Sequence, residues 1–180
     1  IYNLTGGLDV TNSTFSGNNA TMGGGIYNLT STLPLTVTDS TFTGNSAQFG
    51  GGINNENSDL TVTNSTFSGN SADWGGGICN YYRTLTVTNS AFSSNSATMG
   101  GGIYNDNAGT LTVTNSTFTG NSATTTTGGG INNGDDGTLT VQNSTIISNS
   151  ATTTGGGINN SGDGSTLTVQ NSTIISNSAT

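Results

Sequence analysis

The stretch LTVTDSTFTGNSAQFGGGIN, residues 35–54, decides the fold, because the chain keeps returning to it. Its Val37 recurs as Val10, Val62, Val87, Val113, Val141 and Val169. Five residues after each valine stands Phe15, Phe42, Phe67, Phe92, Phe118, Ile146 or Ile174. Three further comes Asn18, Asn45, Asn70, Asn95, Asn121, Asn149 or Asn177, and two beyond that an alanine. The glycine triplet leads into Ile26, Ile53, Ile78, Ile103, Ile131 and Ile158, with Ile1 as an earlier copy. Seven copies hold the valine-to-alanine offsets without insertion, while the whole repeat varies between 25 and 28 residues. Self-similarity at such a period means stacked structural units, with length changes confined to corners.

Within one unit, Leu35-Thr36-Val37-Thr38 alternates apolar and polar, the pattern of a half-buried strand. Ser-Thr-Phe-Thr repeats the alternation around Phe42, and Gly-Gly-Ile-Asn supplies a third short strand around Ile53. No segment shows a helical period. The expected fold is all-β, a parallel β-helix (solenoid) of about seven coils with three short strands each. At about 4.8 Å per coil the rod would be about 34 Å long. The valine, isoleucine and phenylalanine columns are its expected interior. One coil cannot bury enough to hold itself, whereas several stacked coils can.

The asparagines two after each valine, Asn12, Asn64, Asn89, Asn115, Asn143 and Asn171, are expected to make the turn and to bond to one another up the rod. Asp39 interrupts that column, and the single proline, Pro34, falls in a turn before a strand. Residues 1–180 read as a single solenoid segment without a cap at either end. The segment is expected to belong to a longer repeat array or to stack end to end into a filament.

Composition narrows the function. One Arg, no Lys, no His and nine acids give a net charge of −8, which removes the basic footprint a nucleic-acid binder needs. The same charge disfavours anionic membrane surfaces, and no apolar run is long enough to insert into a bilayer. Cys79 is the only cysteine, so it forms neither an internal disulfide nor a cysteine metal site. The acidic, Lys-free, Thr- and Asn-rich surface suits an extracellular setting, secreted or on a cell surface.

At Gly24-Gly25-Ile26 and Phe42-Thr43-Gly44-Asn45 the chain resembles the repeats of polymorphic outer membrane proteins and related bacterial autotransporter passengers. Those carry a GGA(I/L/V) motif and an FxxN motif. Here the first reads GGGI, and the second reads FSGN, FTGN or FSSN in five copies and IISN at Ile146 and Ile174. The resemblance covers almost the whole chain. It implies a right-handed parallel β-helix of the pectate-lyase-like kind and a surface adhesin role, although the translocating barrel of that family has no counterpart in this sequence.

A pectate-lyase-like coil invites an enzymatic reading. Asp9, Asp39, Glu56, Asp59, Asp73, Asp106, Asp135, Asp136 and Asp163 fall at non-matching places in the repeat, and Arg83 stands alone. The paired carboxylates of a glycosidase do not emerge, and the chain is expected not to be an enzyme. No cofactor is expected. Asp135-Asp136-Gly137 and Asp163-Gly164 look like fragments of calcium loops, so weak Ca²⁺ binding stands beside plain turn formation as a reading of those turns.

Two surfaces remain as binding candidates. Outward Thr36 and Thr38, Thr61 and Thr63, Thr86 and Thr88, and Thr112 and Thr114 form two columns. Such an array resembles the ice-binding face of solenoid antifreeze proteins; exposed threonine is also simply favourable in strands. Met22, Phe49, Trp74 and Met99 form a bulky column ahead of the glycine triplets, with Tyr27, Tyr81, Tyr82 and Tyr104 beside it. Filling one corner of the core is its structural reading, and a stripe for packing or for host or matrix glycans the other. Among the Asn-x-Ser/Thr matches, Asn3 and Asn28 are the expected glycan acceptors if the host glycosylates, because the turn asparagines would be engaged. The expected function is an extracellular structural rod, a surface fibre subunit or adhesin stalk.

Overall fold

The structure, a computed structural model, describes residues 1–29 and 33–180. It is a parallel β-solenoid. One sheet gathers the isoleucine strands, from Tyr2–Asn3 and Ile26–Leu29 to Ile158–Asn160. A second gathers the valine strands, from Leu8–Thr11 to Thr166–Gln170. A third gathers the phenylalanine strands, from Thr14–Ser16 to Thr173–Ile175. Each of these three sheets has seven strands. Neighbouring strands are parallel, and identical repeat positions lie opposite one another: Val37 against Val62, Phe42 against Phe67, Ile26 against Ile53. Parallel pairing needs a long return connection, and here the rest of the coil is that connection.

A fourth sheet was not legible as a strand in the sequence. Ser71–Trp74, Ser96–Met99, Ser122–Ala123, Ser150–Ala151 and Ser178–Ala179 pair in parallel as five strands. Two of the residues preceding them in register, Asn19 and Ser46, form isolated bridges on the same line. Segments this short carry no periodicity, so the coil has four sides where three were expected.

The interior is filled by the repeating apolar columns. Val37, Val62, Val87, Val113 and Val141, Ile26 through Ile131, and Phe42 through Phe118 are fully buried. Val10 is buried, while Phe15 and Ile158 are partly buried against the same cluster. The phenylalanines stack ring on ring, with centroids 4.6 Å apart for Phe15–Phe42 and 4.7 Å for the next three pairs, within 2° of parallel. That separation matches the strand spacing, so backbone pairing and ring contact are satisfied by one repeat distance. In the last coil the columns reach the surface, with Leu167, Val169 and Ile174 exposed.

The asparagine ladder runs through different residues from those expected. Asn12, Asn64, Asn89, Asn115, Asn143 and Asn171, with Asp39, are exposed corner residues at φ between 49° and 51°. They make the turn, but the left-handed backbone directs them away from the coil. Two other columns carry the amide–amide bonds. Asn18, Asn45, Asn70, Asn95, Asn121, Asn149 and Asn177 form one; Asn70 Nδ2 donates to Asn95 Oδ1 at 2.9 Å, and the Asn70 backbone N–H donates to the same oxygen at 3.0 Å. Asn3, Asn28, Asn55, Asn80, Asn105, Asn133 and Asn160 form the other, with Nδ2 to Oδ1 distances of 2.7–2.9 Å. A serine column completes the corner: Ser65 Oγ accepts from the Ser40 backbone N–H and donates to Thr63 O. Buried polar groups are tolerated when bonded, and each of these ladders bonds its own members.

Candidate functional site

The outer face of the isoleucine sheet carries the most varied chemistry on the rod. After each inward isoleucine comes an outward residue: Tyr27, Asn54, Cys79, Tyr104, Asn132, then Asn159. Two residues further along the strand the next outward position holds Glu56, Tyr81 and Asp106. Outward residues of a strand are normally wet, yet Asn54, Cys79 and Tyr104 are buried. The bulky column of Met22, Phe49, Trp74 and Met99 runs just ahead of these strands.

That column does not fill a corner of the core. Met22 is exposed, Phe49, Trp74 and Met99 are half-buried, and none belongs to the interior cluster. Phe49 stacks on Trp74 with centroids 4.7 Å apart and planes at 11°. Tyr81 tilts against Phe49 at 6.4 Å, leans on Tyr82 at 6.1 Å and meets Tyr104 edge-on at 5.9 Å. The result is a second, external aromatic cluster over the third to fifth coils.

Beside it opens a cleft of about 260 Å³ lined by Met22, Phe49, Asn54, Glu56, Tyr81, Tyr82 and Asn107. Tyr27 Oη donates to Glu56 Oε2 at 3.0 Å, and Tyr104 Oη donates to Asp106 Oδ2 at 2.8 Å. Burial first, then the bond to Glu56 and its charge, push the Tyr27 hydroxyl up to about 12. Burial likewise raises Tyr81, Tyr104 and the Cys79 thiol, so these groups stay protonated at neutral pH. Cys79 is thereby a packed, unreactive thiol. Arg83 lies outside the lining, with Nε donating to Asn57 Oδ1 at 3.1 Å.

One polar atom in the cleft wall has no partner among the described residues, the buried Oδ1 of Asn54. Later coils show why. Thr127 Oγ1 donates to Asn132 Oδ1 at 2.9 Å, and Thr154 Oγ1 donates to Asn159 Oδ1 at 3.1 Å. Five residues before Asn54 stands Phe49, which has no donor to give.

The threonine face is regular. Thr36, Thr61, Thr86 and Thr112 lie in register, as do Thr38, Thr63, Thr88 and Thr114, all on the outside of the valine sheet. The second column ends at Gln142 and Gln170, whose amides bond to each other at 3.0 Å. At the first coil Asp9 takes a threonine position and accepts a hydrogen bond from Thr36 Oγ1.

The exposure of the Asn-x-Ser/Thr asparagines runs opposite to expectation. Asn28 is fully buried, and the Asn3 amide donates to Asn28 Oδ1, so both are engaged in a ladder. The exposed Asn-Ser-Thr asparagines are Asn12, Asn64, Asn115, Asn143 and Asn171 at the corner. Among the described residues, no three His, Cys, Asp or Glu side chains are grouped to hold a metal ion. In the calcium-like turns, the Asp136 backbone N–H bonds to Asp163 O at 2.9 Å, joining one turn to the next. Among the described residues no helix is long and apolar enough to cross a membrane.

The aromatics of the cleft are legible in the sequence, whereas Asn54, Glu56 and Asn107 are not legible there as its polar lining. The available signal was the change from threonine to phenylalanine five residues before Asn54.

These features define a β-helix whose chemistry is displayed on its outer faces. The chain matches the sequence model of the family described as "right handed beta helix region" over residues 1–178, and it belongs to that family. No curated protein and no solved structure matches it significantly.

Proposed function

We propose that the chain is a stiff, non-catalytic section of an extracellular structural rod, a surface fibre or adhesin stalk of the kind its repeats resemble. The observation that supports this is continuity. Three seven-stranded sheets, the buried apolar columns and two amide ladders all run along one axis. Bending such a rod would break several ladders together, whereas a lone flexible linker has none.

Negative-stain imaging of native material, paired with the solution mass of the isolated chain, tests the proposal. Rods or filaments about as wide as one coil are expected. Dispersed compact particles in native material, with a monomer mass at every concentration, would overturn it.

The threonine columns support ice binding as a second reading. Residues two apart in a strand lie about 6.7 Å apart, and coils about 4.8 Å, giving a flat two-dimensional array of hydroxyls and methyls. Thermal hysteresis in nanolitre osmometry is its expected result, lost when Thr86 and Thr112 are replaced by tyrosine. Ice growth unchanged by the wild-type chain would remove this reading.

A further inference from the structure

The external cleft combines three features that a purely structural surface does not need: a buried acceptor without a donor, a carboxylate and several aromatic faces. Asn54 and Glu56 are two residues apart on one strand (Ile53–Glu56), so both project from the same face. Tyr27 engages Glu56 Oε2, and Oε1 makes no hydrogen bond among the described residues. Phe49, Tyr81 and Tyr82 line the remaining walls, and Met22 closes one side with a thioether.

This set selects for charge and for donors. Two polar groups of the lining, the unpartnered Asn54 Oδ1 and the Glu56 carboxylate, both accept. An anion is disfavoured by Glu56 and by the net charge of −8. A neutral sugar would find donors in the Tyr81 and Tyr82 hydroxyls and the Asn54 and Asn107 amides, but it would leave the Glu56 charge uncompensated. A cation with N–H groups satisfies every feature: it gives a hydrogen bond to Asn54, pairs with Glu56 and rests against aromatic faces, where cations are attracted to the ring quadrupole. The volume of about 260 Å³ suits one side-chain-sized group. The chain contains no lysine and the Ile1 α-ammonium donates to Gly25 O, so that group comes from another molecule.

We propose that the cleft between Phe49, Asn54, Glu56 and Tyr82 is a binding site for a primary aliphatic ammonium group. The ammonium donates to Asn54 Oδ1 and to the Glu56 carboxylate, and its methylene chain lies on Met22 and Phe49. The site operates on a single rod section, so it stands or falls separately from assembly.

Trp74, the only tryptophan, stacks on Phe49 and reports the site through its own fluorescence. Titration of the intact chain with n-butylammonium is expected to give a saturable change in emission that weakens as salt is raised. Glu56→Gln is expected to weaken binding about tenfold, the scale of one charged hydrogen bond. Tetramethylammonium, which keeps the charge but has no N–H, is expected to bind about tenfold more weakly for the same reason. Nα-acetyl-lysine amide and 1,4-diaminobutane carry the same group, and the tighter of the two identifies a partner protein or a free polyamine as the source. A thermal unfolding midpoint unchanged in Glu56→Gln shows that the variant is folded. The proposal is overturned if butylammonium leaves the emission unchanged, if folded Glu56→Gln binds like the wild type, or if tetramethylammonium or glucose binds as tightly as butylammonium.

Discussion

Gly76→Ala is expected to unstack the coils, with a loss of about 4 kcal/mol or more in urea unfolding. An added Cβ at Gly76 would lie 2.4 Å from Gly101 O, 2.6 Å from Ser96 O and 2.9 Å from Ser96 N. All three are backbone atoms of the next coil. The Gly76 N–H bonds to Gly100 O at 3.1 Å, so the two coils are also tied together at the point of overlap. No side chain can turn aside to relieve the clash; the strands must separate and give up their ladders. Gly69→Ala provides the control. Gly69 sits at φ +61°, and a Cβ there meets no described atom within 4 Å. The left-handed backbone alone should cost about 1 kcal/mol. The chain itself makes that exchange, since Ser94, Ser148 and Ser176 occupy the same corner at φ 54–56°. Equal losses in the two variants would remove close coil contact as the reason for the glycine triplet.

Asn95→Ala is expected to cost about 4 kcal/mol, because it strands several buried groups together. Asn95 Oδ1 accepts both the backbone N–H and the side-chain Nδ2 of Asn70, and Asn95 Nδ2 donates to Phe67 O at 3.0 Å and to Asn121 Oδ1 at 2.9 Å. Truncation leaves donors on the coil before and acceptors on both sides, where water has no access. Each orphaned group costs about 1–3 kcal/mol. Asn89→Ala, at the exposed corner six residues earlier, should cost only about 1 kcal/mol for alanine in a left-handed conformation. Matched denaturation curves of the two variants compare the asparagine columns directly. A larger loss at Asn89 than at Asn95 would show that the corner column, not the buried one, binds the coils together.

The three asparagine columns explain how far the sequence could be read. Asn89, Asn95 and Asn105 belong to columns that repeat with nearly equal regularity, and recurrence alone does not say which side chain faces inward. The corner at Asn89 takes φ 50°, which breaks the two-residue alternation and rotates the following strand. Counting parity across it therefore fails, and recurrence alone points to the turn column as readily as to the buried one. Within a strand parity holds, which is why Val87 and Phe92 could be placed inside from the sequence while Asn95, beyond the left-handed Ser94, could not.

The amino-acid order by itself determined the winding: a fixed offset from valine to phenylalanine to alanine, repeated seven times, allows like residues to pile on like and fills an axis with rings and branched side chains. Only the tertiary structure decided which surfaces carry chemistry. The glycine triplet separates Phe49 from Asn54 by backbone that follows no alternation, so their meeting outside the sheet could not be counted from either end. The orphaned amide oxygen of Asn54 is likewise a property of neighbours in space. It exists because a ring stands where later coils place a hydroxyl, and a missing hydrogen bond is visible only when both partners have positions.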